Sequence, residues 1–209
     1  MKRIIAGILV YVFATVNASA ALIGYNDRTA WEAAVGGTYL EEDFSSTASA
    51  VYEFSPIDIG DFTVSASGST FGPTWHNISS SGAGGSSLND VNGSQQLNAA
   101  TGDSGGTTLE FDFEIYAFGA DWAGVSNDSR ITSFVMDGMQ LDIPYLTGGF
   151  FGFVSDTALT TNFLSLTAGG ADGFGMDNLV YATSVSEPMI IPLLGLGILG
   201  LGLIRRRKA

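Results

Sequence analysis

Along much of this chain apolar and polar positions take turns at the two-residue period of a half-buried strand. Leu109, Phe111, Phe113 and Ile115 alternate with Glu110, Asp112 and Glu114, which predicts one face toward a core and one toward solvent. Ile57 and Ile59 alternate in one phase, Phe62 and Val64 in the other. The slip at Gly60-Asp61 predicts a bulge in a strand running from Ile57 to Ala66. Thr38 to Phe44, Ala117 to Trp122, Phe150 to Val154, Phe163 to Leu166 and Met176 to Tyr181 read as further strands. Phe134-Val135-Met136 and Met139-Gln140-Leu141 flank Asp137-Gly138, a dipeptide suited to a type I′ turn, and so predict a hairpin. Helical spacing is convincing at one place in the soluble part. There Asn26-Asp27 can cap a short helix through Thr29, Trp31, Ala33 and Ala34, which Gly36-Gly37 stops.

Between Ser65 and Gly106 the pattern thins to Gly, Ser, Asn and Thr, with apolar anchors at Phe71, Trp75, Ile78, Leu88, Val91 and Leu97. That stretch predicts a long loop region crossing one sheet or one end of the fold. About nine or ten short strands at close spacing predict an all-β, two-sheet, jelly-roll-like sandwich with one short N-terminal helix. No repeat of blade length points to a propeller.

The two ends follow different rules. Lys2-Arg3, the apolar run Ile4 to Val16 and the Ala18-Ser19-Ala20 cleavage pattern predict a signal peptide over residues 1–20, cut by signal peptidase. At the other end Ser186-Glu187-Pro188 precedes an uncharged Leu/Ile/Gly run, Met189 to Ile204, and then Arg205, Arg206, Arg207 and Lys208. The run has sixteen residues, short against the ~20 that span a bilayer. Its four glycines would weaken a water-soluble helix by ~1 kcal/mol each, so the run predicts a membrane segment, with the basic tail 205–209 held on the cytoplasmic side. Residues 21–185 are then an ectodomain beyond the inner membrane.

This C-terminal layout resembles the PEP-CTERM sorting signal of Gram-negative bacteria, with Glu187-Pro188 matching the motif and Ser186 standing where the family has its first proline. The resemblance implies transient residence in the inner membrane, processing by an exosortase, and delivery to the cell surface or extracellular matrix beside exopolysaccharide. Phe118-Gly119-Ala120-Asp121, Phe150 to Ser155 and Asp172-Gly173-Phe174-Gly175-Met176-Asp177-Asn178-Leu179 also resemble the jelly-roll exoprotein domain that often precedes that signal.

Charge sharpens the picture. Of eight Lys and Arg, the ectodomain keeps Arg28 and Arg130, against twenty-one acids between Asp27 and Glu187. So acidic a body repels phosphate backbones, which argues against nucleic acid as a partner. With no cysteine, neither disulfides nor thiolate metal sites can form.

Catalytic motifs are absent. His76 is the only histidine, and neither a nucleophile elbow nor a paired-His metal motif occurs, so no catalytic residue is assigned and a non-enzymatic role is expected. A carboxylate-dependent polysaccharide hydrolase is the enzymatic alternative, since that chemistry needs only two acids. Asp172, Asp177 and Asn178, with Asp121 and Asp156 as further partners, offer hard oxygens for a structural calcium ion, and Gly173 and Gly175 would let carbonyls turn toward it. The competing reading is that these residues cap turns and satisfy loose backbone groups. A calcium-dependent lectin-like adhesin is the corresponding functional alternative. Among Trp31, Trp75, Trp122, Tyr25, Tyr39, Tyr52, Tyr116 and Tyr145, most are expected in the core. Trp75, beside His76 in the polar loop, is the candidate platform for a sugar ring.

Overall fold

A computed structural model of the chain describes residues 21–183, apart from 68–71, 103–104, 127–129, 157–158 and 160. The expected signal peptide, the Ser186-Glu187-Pro188 motif, the run 189–204 and the basic tail lie outside the described residues. Among those described, no helix is long and apolar enough to cross a membrane.

Two antiparallel sheets face each other. The larger holds β1 (Leu22–Tyr25), β12 (Gly149–Ser155), β9 (Ile115–Ala123), β14 (Asp172–Thr183), β7 (Gln96–Thr101), β6 (Asn77–Ser79) and β3 (Ala50–Val51) in that order, and β2 (Leu40–Glu42) also pairs with β14. The smaller runs β11 (Met139–Asp142), β10 (Thr132–Met136), β13 (Phe163–Ala168), β8 (Gly106–Phe111), β5 (Phe62–Ser67) and β4 (Ile57–Asp58). Their inner faces meet through Phe62, Leu109, Phe118, Trp122, Phe134, Phe153, Phe174 and Met176, all buried. Trp122 packs edge-on to Phe134 at 5.7 Å and donates its indole N–H to the Phe151 carbonyl at 2.9 Å. The buried ring thus keeps its polar atom satisfied.

The helix α1 (Arg28–Val35) forms as expected. Asp27 caps it by accepting from Ala30 N at 2.8 Å, and Gly36 ends it at φ +64°, where a side chain would be strained. Its apolar side lies on the outer face of the larger sheet, with Trp31 and Val35 against Ala117, Phe150, Val154 and Val180. Trp31 Nε1 donates to Phe153 O at 2.9 Å. The described residues form a β-sandwich with one α-helix laid across one outer face.

The structure corrects three expectations. The slip at Gly60-Asp61 is a reversal rather than a bulge: β4 and β5 pair as a hairpin, Ile57 opposite Val64. Gly60 at φ +113° turns the chain, and a change of alternation phase cannot tell a turn from a bulge. The apolar series Leu109 to Ile115 is not one strand, because β8 ends at Phe111 and β9 starts at Ile115 in the other sheet. Alternation carries across the gap because both strands face the same core. Last, the expected loop from Ser65 to Gly106 contains β6 and β7, and every residue of β7 is buried. Gln96 and Asn98 there look like loop residues because their side chains replace backbone partners for the loop above them.

The expected hairpin matches: Met136 faces Met139, with Asp137 at φ +51° and Gly138 at φ +76°, the positive pair of a type I′ turn.

Candidate functional site

The strand β14 sits at the centre of the larger sheet, with β9 along one side and β7, then β2, along the other. Alternation divides its first half: Asp172, Phe174 and Met176 turn toward the sheet interface, whereas Gly173, Gly175 and Asp177 face outward. Trp75 before β6 and the loop that follows it, around Asn89, lie against that outward face, and the glycines make room for them. A methyl group on Gly173 would sit 2.3 Å from Trp75 Cζ3, and one on Gly84 only 2.4 Å from Trp75 Cζ2. Both glycines lie against the six-membered ring of the indole. A methyl on Gly175 would meet Gln96 Nε2 at 2.1 Å and Asn89 O at 2.2 Å. The missing side chains of these glycines make room for the loop.

Buried amides fasten the loop. Gln96 donates to Asn89 O at 2.7 Å and accepts from Val91 N at 2.8 Å, while Asn98 Nδ2 reaches Asn77 Oδ1, Ser79 Oγ and Ser81 O between 2.7 and 3.0 Å. Backbone groups that no ladder pairs find partners here, as burial requires.

Where the loop meets the start of β14, a cavity of about 460 Å³ opens. Trp75, Leu88, Asn89, Arg130, Tyr145 and Asp172 contribute to its wall. Leu88 and Tyr145 are 75% and 61% exposed, large apolar surfaces left in water beside charged and amide groups. The structure thus brings together Trp75, chosen as a sugar platform, and Asp172, chosen as a metal ligand. No protein-family model matches the sequence, and no curated protein is significantly similar to it. The site must be read from its own geometry.

Asp172 is 2% exposed and ties the β9–β10 connection to β14. Its Oδ2 accepts from Ser126 N at 2.8 Å and from Thr132 Oγ1 at 2.5 Å, and Ser126 Oγ in turn accepts from Thr132 N at 3.0 Å. Its Oδ1 is buried with no hydrogen-bond partner. Burial pushes the carboxyl above its usual range, opposed by Thr132, the Ser126 amide and the Arg130 charge; the Gly173 amide adds to these without completing a hydrogen bond.

Asp177 and Asn178 lie elsewhere. Five residues along a strand is about 17 Å, and Asp177 faces the side opposite Asp172. Asp177 Oδ2 accepts from Ser94 Oγ at 2.6 Å and Asn92 Nδ2 at 3.0 Å, and its Oδ1 from Asn178 N at 2.8 Å. Asn178, at φ +49°, forms the bulge where β7 stops and β2 begins, and donates to Asp121 Oδ2 at 2.8 Å. Asp121 stands directly opposite Asp177, a like-charge pair that Arg28 relieves from 3.5 Å while donating to Asn178 O at 2.6 Å. Asp156 pairs with the backbone of Ala21. Asp172 therefore shares no coordination sphere with Asp177 and Asn178, and the three do not fit one calcium ion. No cluster of three His, Cys, Asp or Glu side chains forms among the described residues.

His76 is fully buried, with Nε2 3.0 Å from Ala100 O and its ring edge-on to Tyr52. Desolvation holds its pKa below the ordinary value, although the Ala100 carbonyl opposes this. It anchors the loop from beneath while Trp75 lines the cavity. Sequence reasoning missed Arg130, Leu88 and Asn89 as wall residues. Arg130 carried a signal, as one of two cations left in the ectodomain; Leu88 and Asn89 carried none apart from their place in the loop.

Proposed function

We propose that this protein is an exported, non-catalytic component of the cell surface or extracellular matrix that binds exopolysaccharide through the cavity at the start of β14. On this reading the chain is a PEP-CTERM-type precursor. It comprises a signal peptide, a jelly-roll-like sandwich over 21–185 and a sorting segment, Ser186-Glu187-Pro188 with 189–204 and Arg205 to Lys208, released by an exosortase. The observation that carries the binding half is the cavity wall. Trp75, Tyr145 and Leu88 supply the apolar surface on which a sugar's C–H face rests, and Asp172, Asn89 and Arg130 the polar groups that meet hydroxyls. Hydrolysis of a glycosidic bond needs two carboxylates about 5 to 10 Å apart, and among the described residues this wall presents Asp172. The composition suits binding rather than cleavage.

Two measurements test the reading. Replacing Glu187 and Pro188 by Ala should leave a full-length precursor in the inner-membrane fraction, whereas normal release of that variant removes the sorting half. The purified protein should retain its own cell's exopolysaccharide on a column without generating reducing ends. Release of reducing ends would make it a hydrolase.

A further inference from the structure

The unpartnered oxygen of Asp172 says more about the ligand than the aromatic wall does. A buried acceptor left without a donor is destabilising, the more so when it is charged, so a ligand that supplies the donor recovers that loss. Asp172 cannot turn away to find one, because Ser126 N and Thr132 Oγ1 both hold its Oδ2. Arg130 lines the same cavity, so a cation and a carboxylate share its wall. Around them the ectodomain is strongly acidic, which repels a polymer carrying one carboxylate per sugar.

Resting on the proposed polysaccharide binding, we infer that the cavity takes a neutral sugar residue of a polysaccharide chain, whose hydroxyl donates to Asp172 Oδ1 while its C–H face lies on the aromatic wall. Arg130 donates to the remaining hydroxyls, and Asn89 presents its side-chain amide to them. The carboxylate sets which hydroxyl is recognised, and Trp75 sets the plane of the ring.

Asp172→Asn separates this role from the structural one. The amide oxygen can take over the bonds from Ser126 N and Thr132 Oγ1, which places an N–H₂ donor where the free acceptor was. Affinity electrophoresis of the full chain in detergent, through gels carrying neutral galactomannan, neutral xyloglucan or the polyuronate alginate, reads the outcome. At least one neutral polymer should retard the protein, alginate should not, and Asp172→Asn should weaken the retarding interaction at least tenfold without lowering the melting temperature. Tyr145→Ala, at an exposed position whose loss cannot unfold the protein, should weaken it severalfold. Retardation by alginate alone would overturn the neutral-sugar assignment. Retardation by a neutral polymer that survives both substitutions would overturn this cavity while leaving polysaccharide binding in place elsewhere. Binding to neither these polymers nor the native exopolysaccharide would overturn both readings.

Discussion

Two buried aspartates share β14, five residues apart, and their surroundings differ completely. Asp177, 1% exposed, has every oxygen engaged by Asn178 N, Asn92 or Ser94 and sits in a lattice that Arg28 and Asp121 continue. Asp172, equally buried, has one oxygen doubly bound and the other unpaired, beside a cavity edged by exposed apolar side chains. A saturated carboxylate fixes a bulge; an unsaturated one beside a cavity keeps capacity for something that arrives from outside. Residue type and burial are the same in both places. The difference lies in how many donors the surrounding chain provides.

The largest effect should come from breaking the saturated side. Asp177→Ala removes three hydrogen bonds and leaves Asn178, already at a positive φ, without its tether. We expect a loss of about 3 kcal/mol in denaturant unfolding, with little change in binding per folded molecule. If stability does not move, Asp177 is not the organiser of the bulge.

Next comes the partition between Trp75 and the sheet. Gly173→Ala drives a methyl into the indole, so the ring must leave its slot. Polysaccharide binding should fall about tenfold for a stability cost of about 1–3 kcal/mol. A variant that binds normally would show that the position of Trp75 is irrelevant to the ligand.

Asp172→Asn sharpens the comparison through pH. Because burial raises the folded carboxyl's pKa, the folded state holds its proton more tightly than the unfolded state. The wild type therefore loses stability as pH rises from the ordinary carboxylate range to the raised value. The Asn variant lacks that loss. Its stability relative to wild type should rise across this window and level off above it. A flat difference would mean that Asp172 titrates as it does in the unfolded chain.

His76 has the opposite sign. Burial lowers its pKa, so stability should fall as pH drops below the ordinary histidine value, and His76→Gln should flatten that slope at some cost in packing. This is the smallest of the four effects, since one neutral ring is involved. Unchanged acid sensitivity in the variant would assign the slope to other groups.

Much of the sandwich was legible because it rests on period-two alternation and on turn residues with one dominant geometry. Asp137-Gly138 and the Asp27-to-Gly36 helix are cases where local chemistry decided the outcome. Alternation could not show which sheet a strand joins, which is why Leu109 to Ile115 read as one strand. The strand β7 was hidden for a different reason: Gln-Leu-Asn-Ala-Ala-Thr is polar enough for a loop, and its burial depends on amides pairing with a loop distant in the sequence. The candidate site was half legible. Trp75 and Asp172 stood out by type, but their meeting depends on Gly173 facing the indole, a long-range contact with no local signature.

The most direct test of the central claim uses the protein's own tryptophans. Trp31 and Trp122 are fully buried in the two apolar clusters, whereas Trp75 lines the cavity, so a ligand entering there changes the fluorescence of Trp75 alone. Titration of the full chain in detergent with oligosaccharides of the neutral polymer that retards it should give a saturable change that disappears in Trp75→Phe and weakens at least tenfold in Asp172→Asn. A change that persists in Trp75→Phe, or binding with no change at all, would place the ligand somewhere other than this cavity and contradict the account.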